Sequence, residues 1–128
     1  MPDHELIRRI GSGGLGDVWL GYDRRLHRYV AIKFPHSARL SRVLAEARVL
    51  AQLDHPGIVP VHEIGPHYIV MGYVEGVTLD RAGLSRREII EAVRQVALAL
   101  AYAHAHGLVH ADVKPANILV RRGPAGDI

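Results

Sequence analysis

The hydrophobic pattern changes period along the chain, and each change predicts a different element. Leu6-Ile7-Arg8-Arg9-Ile10 reads as a short strand running into glycines. Val18 and Leu20 alternate with Asp17 and Trp19, which predicts a second strand just after those glycines. Asp23-Arg24-Arg25 has the composition of a turn. Tyr29-Val30-Ala31-Ile32-Lys33-Phe34 is β-branched and alternating, so a third strand is expected, stopped by Pro35. From Leu40 to Leu53 the apolar residues fall at 40, 43, 44, 47, 50 and 51, a helical spacing closed by Asp54-His55-Pro56-Gly57. Ile58 to Ile64 and His67 to Tyr73 read as a strand pair across Gly65-Pro66.

Beyond this the period is helical again. Ser85-Arg86-Arg87-Glu88 is a capping-box signature, with a serine cap and a glutamate three residues on. The helix it opens is expected to run to about His106, with Gly107 as terminator. At 1.5 Å per residue that is a rod of about 31 Å. Its apolar positions 89, 90, 93, 96, 97, 100, 101 and 103 cover a wide face. Leu108-Val109 and Ile118-Leu119-Val120 read as short strands around a polar loop, and no segment repeats. The fold class this predicts is α+β: an antiparallel sheet with one packed helix, followed by the beginning of a helical lobe.

Composition narrows the class. With 48% hydrophobic and 23% charged residues and no cysteine, the 128-residue chain is no collagen, disordered tail or disulfide scaffold. Net charge is +3, aromatic residues make up 5%, and the arginine pairs are scattered rather than striped, so no nucleic-acid platform is expected. No stretch of 18 residues is free of charge, so no membrane span is expected. Met-Pro-Asp-His-Glu is not a secretory signal, and a cytoplasmic protein is the expectation. Nine histidines raise the question of zinc, but His104 and His106 diverge on a helix and no cysteine helps, so no zinc site is expected. Of the 16 basic residues only Lys33 and Lys114 are lysines, so each asks for a reason.

Gly11-Ser12-Gly13-Gly14-Leu15-Gly16-Asp17-Val18 is a G-x-G-x-x-G-x-V sequence. Glycines let backbone approach phosphates and aim N–H groups at them. A dinucleotide fingerprint would need a helix next, but Asp17 to Leu20 reads as strand. A Walker A loop would need Lys-Ser/Thr after Gly16, where Asp17-Val18 stands. A strand–loop–strand flap over a nucleotide suits both flanks, and a plain glycine-rich hairpin remains the bland alternative.

Val30-Ala31-Ile32-Lys33 places Lys33 and Ala31 on one face of a strand, with Val30, Ile32 and Phe34 on the other. A small residue beside a cation suits a flat base with phosphates beyond it. Glu46 lies three after Val43 and four before Leu50, on or beside the apolar side of its helix. A carboxylate there needs a cationic partner. Lys33 is the expected one, and Arg42 at i, i+4 on the helix surface is the alternative.

His110-Ala111-Asp112-Val113-Lys114-Pro115-Ala116-Asn117 forms the polar loop. The octet resembles the protein-kinase catalytic loop, H-R-D-x-x-x-x-N, in spacing and in its His, Asp and Asn, and that resemblance implies that Asp112 accepts a hydroxyl proton, that Lys114, two residues from Asp112, steadies a phosphoryl group, and that Asn117 reaches a Mg²⁺ ion if the loop curls back. A lone His-x-Asp is most often only a loop hydrogen bond. The octet followed by Ile-Leu-Val is far more specific.

Together these motifs resemble the N-terminal part of a protein kinase domain of the bacterial, eukaryotic-type serine/threonine family. The resemblance runs through residues 6 to 128 in the family's order: glycine loop, V-A-I-K, helix glutamate, His-Pro-x-Ile-Val at 55 to 59, Tyr-Ile-Val-Met, and catalytic loop. It implies a protein-kinase-like fold, with residues 1–74 as nucleotide-binding lobe and hinge and 75–128 as an incomplete second lobe. It implies ATP and Mg²⁺ as cofactors, and γ-phosphoryl transfer to Ser/Thr of a protein substrate. Catalysis would rest on Asp112, Lys114, Asn117, Lys33 and Glu46, with Asn117 on the metal. ATP would meet Gly11, Ser12, Gly13, Gly14, Gly16 and Lys33. The base would lie between Val18, Ala31 and Leu119, with Met71 as gatekeeper and backbone groups of Gly72 and Val74 on adenine.

Three departures stand out. Ala111 replaces the family's catalytic-loop arginine, which puts activation by that arginine's phosphate contact in doubt. Gly72 replaces the usual hinge acid, and no D-F-G sequence occurs within these residues. The expectation is a chain inactive alone, with association through the uncovered apolar face of helix 86–106. A nucleotide-binding, pseudokinase-like regulator or scaffold is the alternative. A small-molecule phosphotransferase shares the catalytic-loop pattern but not Lys-Pro-x-Asn.

Overall fold

Alternating β-branched residues build a five-stranded antiparallel sheet in the computed structural model, which describes residues 3–13, 16–107 and 119–121. Its strands are β1 (His4–Gly13), β2 (Gly16–Asp23), β3 (Arg28–Pro35), β4 (Val61–Ile64) and β5 (Ile69–Gly72), in the order β1-β2-β3-β5-β4. Helix α1 (Leu40–Leu50) lies between β3 and β4 in sequence. These elements make up one unit, Met1–Asp54 with Val59–Tyr73, and His55–Ile58 with Val74–Ile128 make up another.

The alternation in β3 sorts the first unit's core into two clusters. Val30, Ile32 and Val70 are fully buried, with Phe34 and Tyr68 against them. On the other face, Val43, Leu44 and Ala47 of α1 pack on Ile69, joined by Leu40, Val61, Ile64 and Met71. Burying side chains of this size contributes roughly 1.5–3 kcal/mol each. Gly21 belongs to the first face by register, opposite Val30. A Cβ there would lie 2.6 Å from Ile32 Cδ1, so the strand needs glycine at that point.

Element ends depart from the hydrophobic pattern where the backbone supplies partners the pattern cannot show. The β1–β2 ladder carries both strands beyond their alternating cores, and bulges after Leu6 and Arg9 bend β1. Leu6, Ile7 and Ile10 on this edge strand stay exposed. Helix α1 stops at Leu50 rather than Leu53, because Gln52 N–H and Leu53 N–H bond to Val49 O and Leu50 O, three residues back. Residues 58–60 lie outside β4, and Pro60 offers no N–H to a ladder. The β2–β3 turn is tied by Asp23 Oδ1, which accepts from Arg25 N–H at 2.9 Å and Leu26 N–H at 3.1 Å.

In the second unit, α2 (Arg86–Ala105) opens with the expected capping box. Ser85 Oγ accepts from Glu88 N–H at 3.2 Å, and Glu88 Oε1 accepts from Ser85 N–H at 3.0 Å. The buried side of α2 differs from the expected wide apolar face: Ala92, Ala99 and Ala103 are buried, while Ile89, Ile90, Val93 and Leu98 are exposed. Small residues face inward because the 55–58 segment comes close. A Cβ on Gly57 would lie 3.0 Å from Ala99 Cβ, and His55 and Tyr102 rings are 5.1 Å apart. A short pair, β6 (Val77–Thr78) with β7 (Leu119–Val120), completes the unit. β6 was too short to show in the hydrophobic pattern. The strand expected at Leu108-Val109 lies outside the described residues.

Candidate nucleotide site

Antiparallel register decides which expected site residues share a face. Val18 pairs with Lys33, and Ala31 pairs with Met71. Ala31 and Lys33 alternate with the buried Val30 and Ile32, so Val18, Ala31, Lys33 and Met71 lie on one face of the sheet. Ala31 is buried, while Val18, Lys33 and Met71 are half-buried.

Lys33 carries the sharpest electrostatic signal on this face. Burial pushes its ammonium pKa down from the ordinary lysine value, and the charge of Glu46 opposes that shift only in part. Among the described residues no ion pair joins Lys33 to a carboxylate. Glu46 instead meets Arg42 Nε at 3.4 Å one turn earlier on α1, with both side chains more than half exposed. The expected Lys33–Glu46 contact is thus replaced by the helix-surface pair, leaving charge proximity without contact. The reason is local: residues four apart on a helix meet with little reorganisation.

The glycine loop is a strand–loop–strand hairpin. Gly11, Ser12 and Gly13 end β1 opposite Val18, Asp17 and Gly16 of β2. A helix does not follow the glycines, which removes the dinucleotide reading. Gly16 has φ +139, and a Cβ on it would collide with the Phe34 carbonyl oxygen of β3. That glycine therefore serves close strand approach as well as any ligand. Gly14 lies outside the described residues.

At the end of β5, Gly72 N–H donates to Pro60 O at 2.9 Å. A Cβ on Gly72 would lie 3.1 Å from Pro60 Cδ and Cγ, which gives a packing reason for glycine where the family has an acid. Val74 and Leu119 belong to the second unit, Leu119 opposite Thr78 in the short strand pair. The catalytic-loop residues Asp112, Lys114 and Asn117 lie outside the described residues. Among the described residues, no three His, Asp or Glu side chains form a group that could hold a metal ion, and no helix is long and apolar enough to cross a membrane.

One polar cluster escaped the motif reading. Asp23, expected only as a turn residue, is 5% exposed. Its carboxyl pKa is lowered, chiefly by the Leu26 N–H bond, with the Arg25 N–H bond, His4 and Arg28 adding to this and burial opposing it. The turn bonds are local, but periodicity could not show the burial, because His4 reaches Asp23 from the neighbouring strand β1.

Residues 4–125 match the protein kinase domain family, so the chain belongs to the protein kinases. It is 42% identical to the serine/threonine-protein kinase PknA of Mycobacterium tuberculosis, over 98% of this chain and 33% of that protein. It is 37% identical to serine/threonine-protein kinase PrkC of Bacillus subtilis, over 91% of this chain and 20% of that protein. The chain therefore spans a third or less of these relatives. Among solved structures, the Mycobacterium tuberculosis PknI kinase domain superposes with a TM-score of 0.77 at 33% identity, covering 91% of this chain and 53% of that one. Rad53 1–466 in complex with AMP-PNP superposes at 0.78 and 29% identity, covering 92% and 34%.

Proposed function

We propose that these residues bind ATP and form the nucleotide-binding part of a serine/threonine protein kinase that phosphorylates protein substrates. The observation that carries this reading is Lys33. Its half-buried ammonium has no ion-pair partner among the described residues and shares a face with Val18, Ala31 and Met71. A polyphosphate would supply the negative charge that burial of Lys33 lacks, while the small Ala31 leaves room for a flat base.

Lys33 then holds the α- and β-phosphates, and Glu46 orients it on leaving Arg42. Gly11, Ser12, Gly13, Gly14 and Gly16 would serve the phosphates through backbone N–H groups. Val18, Ala31 and Leu119 enclose the base beside Met71. Since Gly72 N–H is already bonded to Pro60, adenine would use the Gly72 carbonyl together with Val74. Asp112 takes the proton of the substrate hydroxyl, Lys114 steadies the transferred group, and Asn117 would hold Mg²⁺. When bound, Mg²⁺-ATP supplies the transferable phosphoryl group and neutralises its charge.

The test is thermal unfolding of the 128-residue chain with AMP-PNP and Mg²⁺. The expected result is a rise in Tm that Lys33→Ala abolishes. No rise in the wild type, or an equal rise in the variant, overturns the reading.

A further inference from the structure

Arg8 and Arg9 are neighbours in β1, and both are exposed. Among the described residues neither takes part in an ion pair. Strand pairing sends them to opposite faces of the sheet. Arg8 pairs with Leu20, and Leu20 pairs with Ala31 of β3. Cross-strand partners share a face, so Arg8 belongs to the face that carries Val18, Ala31, Lys33 and Met71. Arg9 pairs with Trp19, and Trp19 pairs with the completely buried Ile32 on the other face.

A β-bulge produces this division. Leu6 pairs with Gly21, which pairs with Val30, so Leu6 lies on the Val30 and Ile32 face. Strict alternation would keep Arg8, two residues on, on that same face. The register shift between Leu6 and Arg8 adds one residue and turns Arg8 to the nucleotide face. Bulges next to active sites re-aim side chains in this way. A second shift, between Arg9 and Gly11, brings Gly11 opposite Val18 and so into line with Lys33.

The nucleotide face therefore has two successive rows across the strands. Gly11, Val18 and Lys33 form one, and Arg8, Leu20, Ala31 and Met71 form the next. With ATP bound as proposed above, the first row serves the phosphates and the second the base. Arg8 stands at the open edge of the second row, two strand spacings or about 10 Å from Ala31. A nucleoside lying against Ala31 occupies the space between them. Its ribose oxygens and ring nitrogens are hydrogen-bond acceptors, and a guanidinium is a fork of donors on a long stem.

We propose that Arg8 is a nucleoside-binding residue, whose guanidinium donates to the ribose or the adjoining base edge of the bound nucleotide, while Arg9 takes no part in binding. The inference rests on the ATP reading and adds to it a contact from the sheet edge, outside the glycine loop and Lys33.

The test is calorimetric titration of the 128-residue chain and of its Arg8→Ala and Arg9→Ala variants, with AMP-PNP and with tripolyphosphate, each in Mg²⁺. Arg8→Ala should weaken AMP-PNP binding about fivefold and leave tripolyphosphate binding unchanged. Arg9→Ala removes the same charge one residue away and should change neither. Equal AMP-PNP affinity in the wild type and Arg8→Ala overturns the proposal and leaves the ATP reading standing. An equal loss in Arg9→Ala would mark a diffuse charge effect, and an equal loss for tripolyphosphate would put Arg8 on the phosphates. Either result overturns the nucleoside contact. A wild type that binds no AMP-PNP overturns the ATP reading itself, and this inference with it.

Discussion

Arg42 holds Glu46 at 3.4 Å across one turn of α1, and Lys33 feels Glu46 as a neighbouring charge rather than as a contact. In protein kinases the corresponding lysine and glutamate must meet for phosphoryl transfer. The surface pair competing with that contact is a weak one, worth roughly 0.3–0.5 kcal/mol for residues four apart. The surface pair therefore resists a move of Glu46 toward Lys33 only weakly, and changes at Arg42 should shift where Glu46 rests.

Arg42→Ala should free Glu46 to approach Lys33 and raise the lysine's lowered pKa. Less unprotonated amine then remains, so Lys33 should react with an acylating reagent about twofold more slowly. The chain has two lysines, so Lys114 serves as the internal reference for peptide mass spectrometry. Losing the Arg42 charge raises the Lys33 pKa by itself, so the same substitution must be repeated with Glu46→Gln. The slowing should shrink in that background. An effect of equal size there would mean that Glu46 does not mediate it.

Gly21 and Ile32 give a packing prediction from the opposite face. A Cβ at Gly21 meets Ile32 Cδ1 at 2.6 Å, and Glu5 O lies 3.2 Å away. Ile32 is completely buried and has little room to turn aside. Gly21→Ala should therefore cost about 1–3 kcal/mol in urea unfolding. Ile32→Val alone should cost about 1 kcal/mol. Because valine lacks the colliding Cδ1, the double variant should lose less than the two single losses added together. Simple additivity would show that the strain lies elsewhere.

The parts legible in the sequence were those in which local periodicity decides the outcome. The alternation through Val30 and Ile32 assigned both faces of β3, and Ser85 with Glu88 marked the start of α2. The wide apolar face of α2 was visible and included Ala103, but not that Ala92 and Ala99 would be buried with it while Ile89, Ile90 and Val93 stay exposed. Partners from another segment decide that choice, and helical period cannot rank two faces that both carry apolar residues. Glu46 shows the same limit. Its position beside the apolar stripe is periodic, whereas its choice of Arg42 depends on side-chain reach. The turn at Asp23 was legible locally, but not that His4 would meet its carboxylate from β1, a contact set by strand pairing.

The capping box at Ser85 predicts a modest and specific loss. Ser85→Ala removes the oxygen that accepts Glu88 N–H, and should cost about 1 kcal/mol. Ser85→Asp should restore most of it, since its carboxylate can accept the same N–H and also favours the helix N-terminus. Urea unfolding of the three chains is the measurement. A loss in Ser85→Asp equal to that in Ser85→Ala would exclude capping as the cause.

Asp23→Asn separates the charge of the turn from its hydrogen bonds. Asparagine can still accept from Arg25 N–H and Leu26 N–H, but it no longer attracts His4 and Arg28. The Asp23 pKa is lowered from 3.8 in the folded chain. Its charge therefore stabilises the fold above that value, and the benefit disappears as pH falls through the lower folded pKa. The wild type should melt above the variant at neutral pH, and the two curves should approach each other below about pH 4. Between about pH 6.5 and pH 5 the variant should fall faster, because His62 has lost the carboxylate that opposes Arg28. A constant difference in Tm from neutral to strongly acidic pH would show that the Asp23 charge does not stabilise the fold, and that its hydrogen bonds and shape account for its burial.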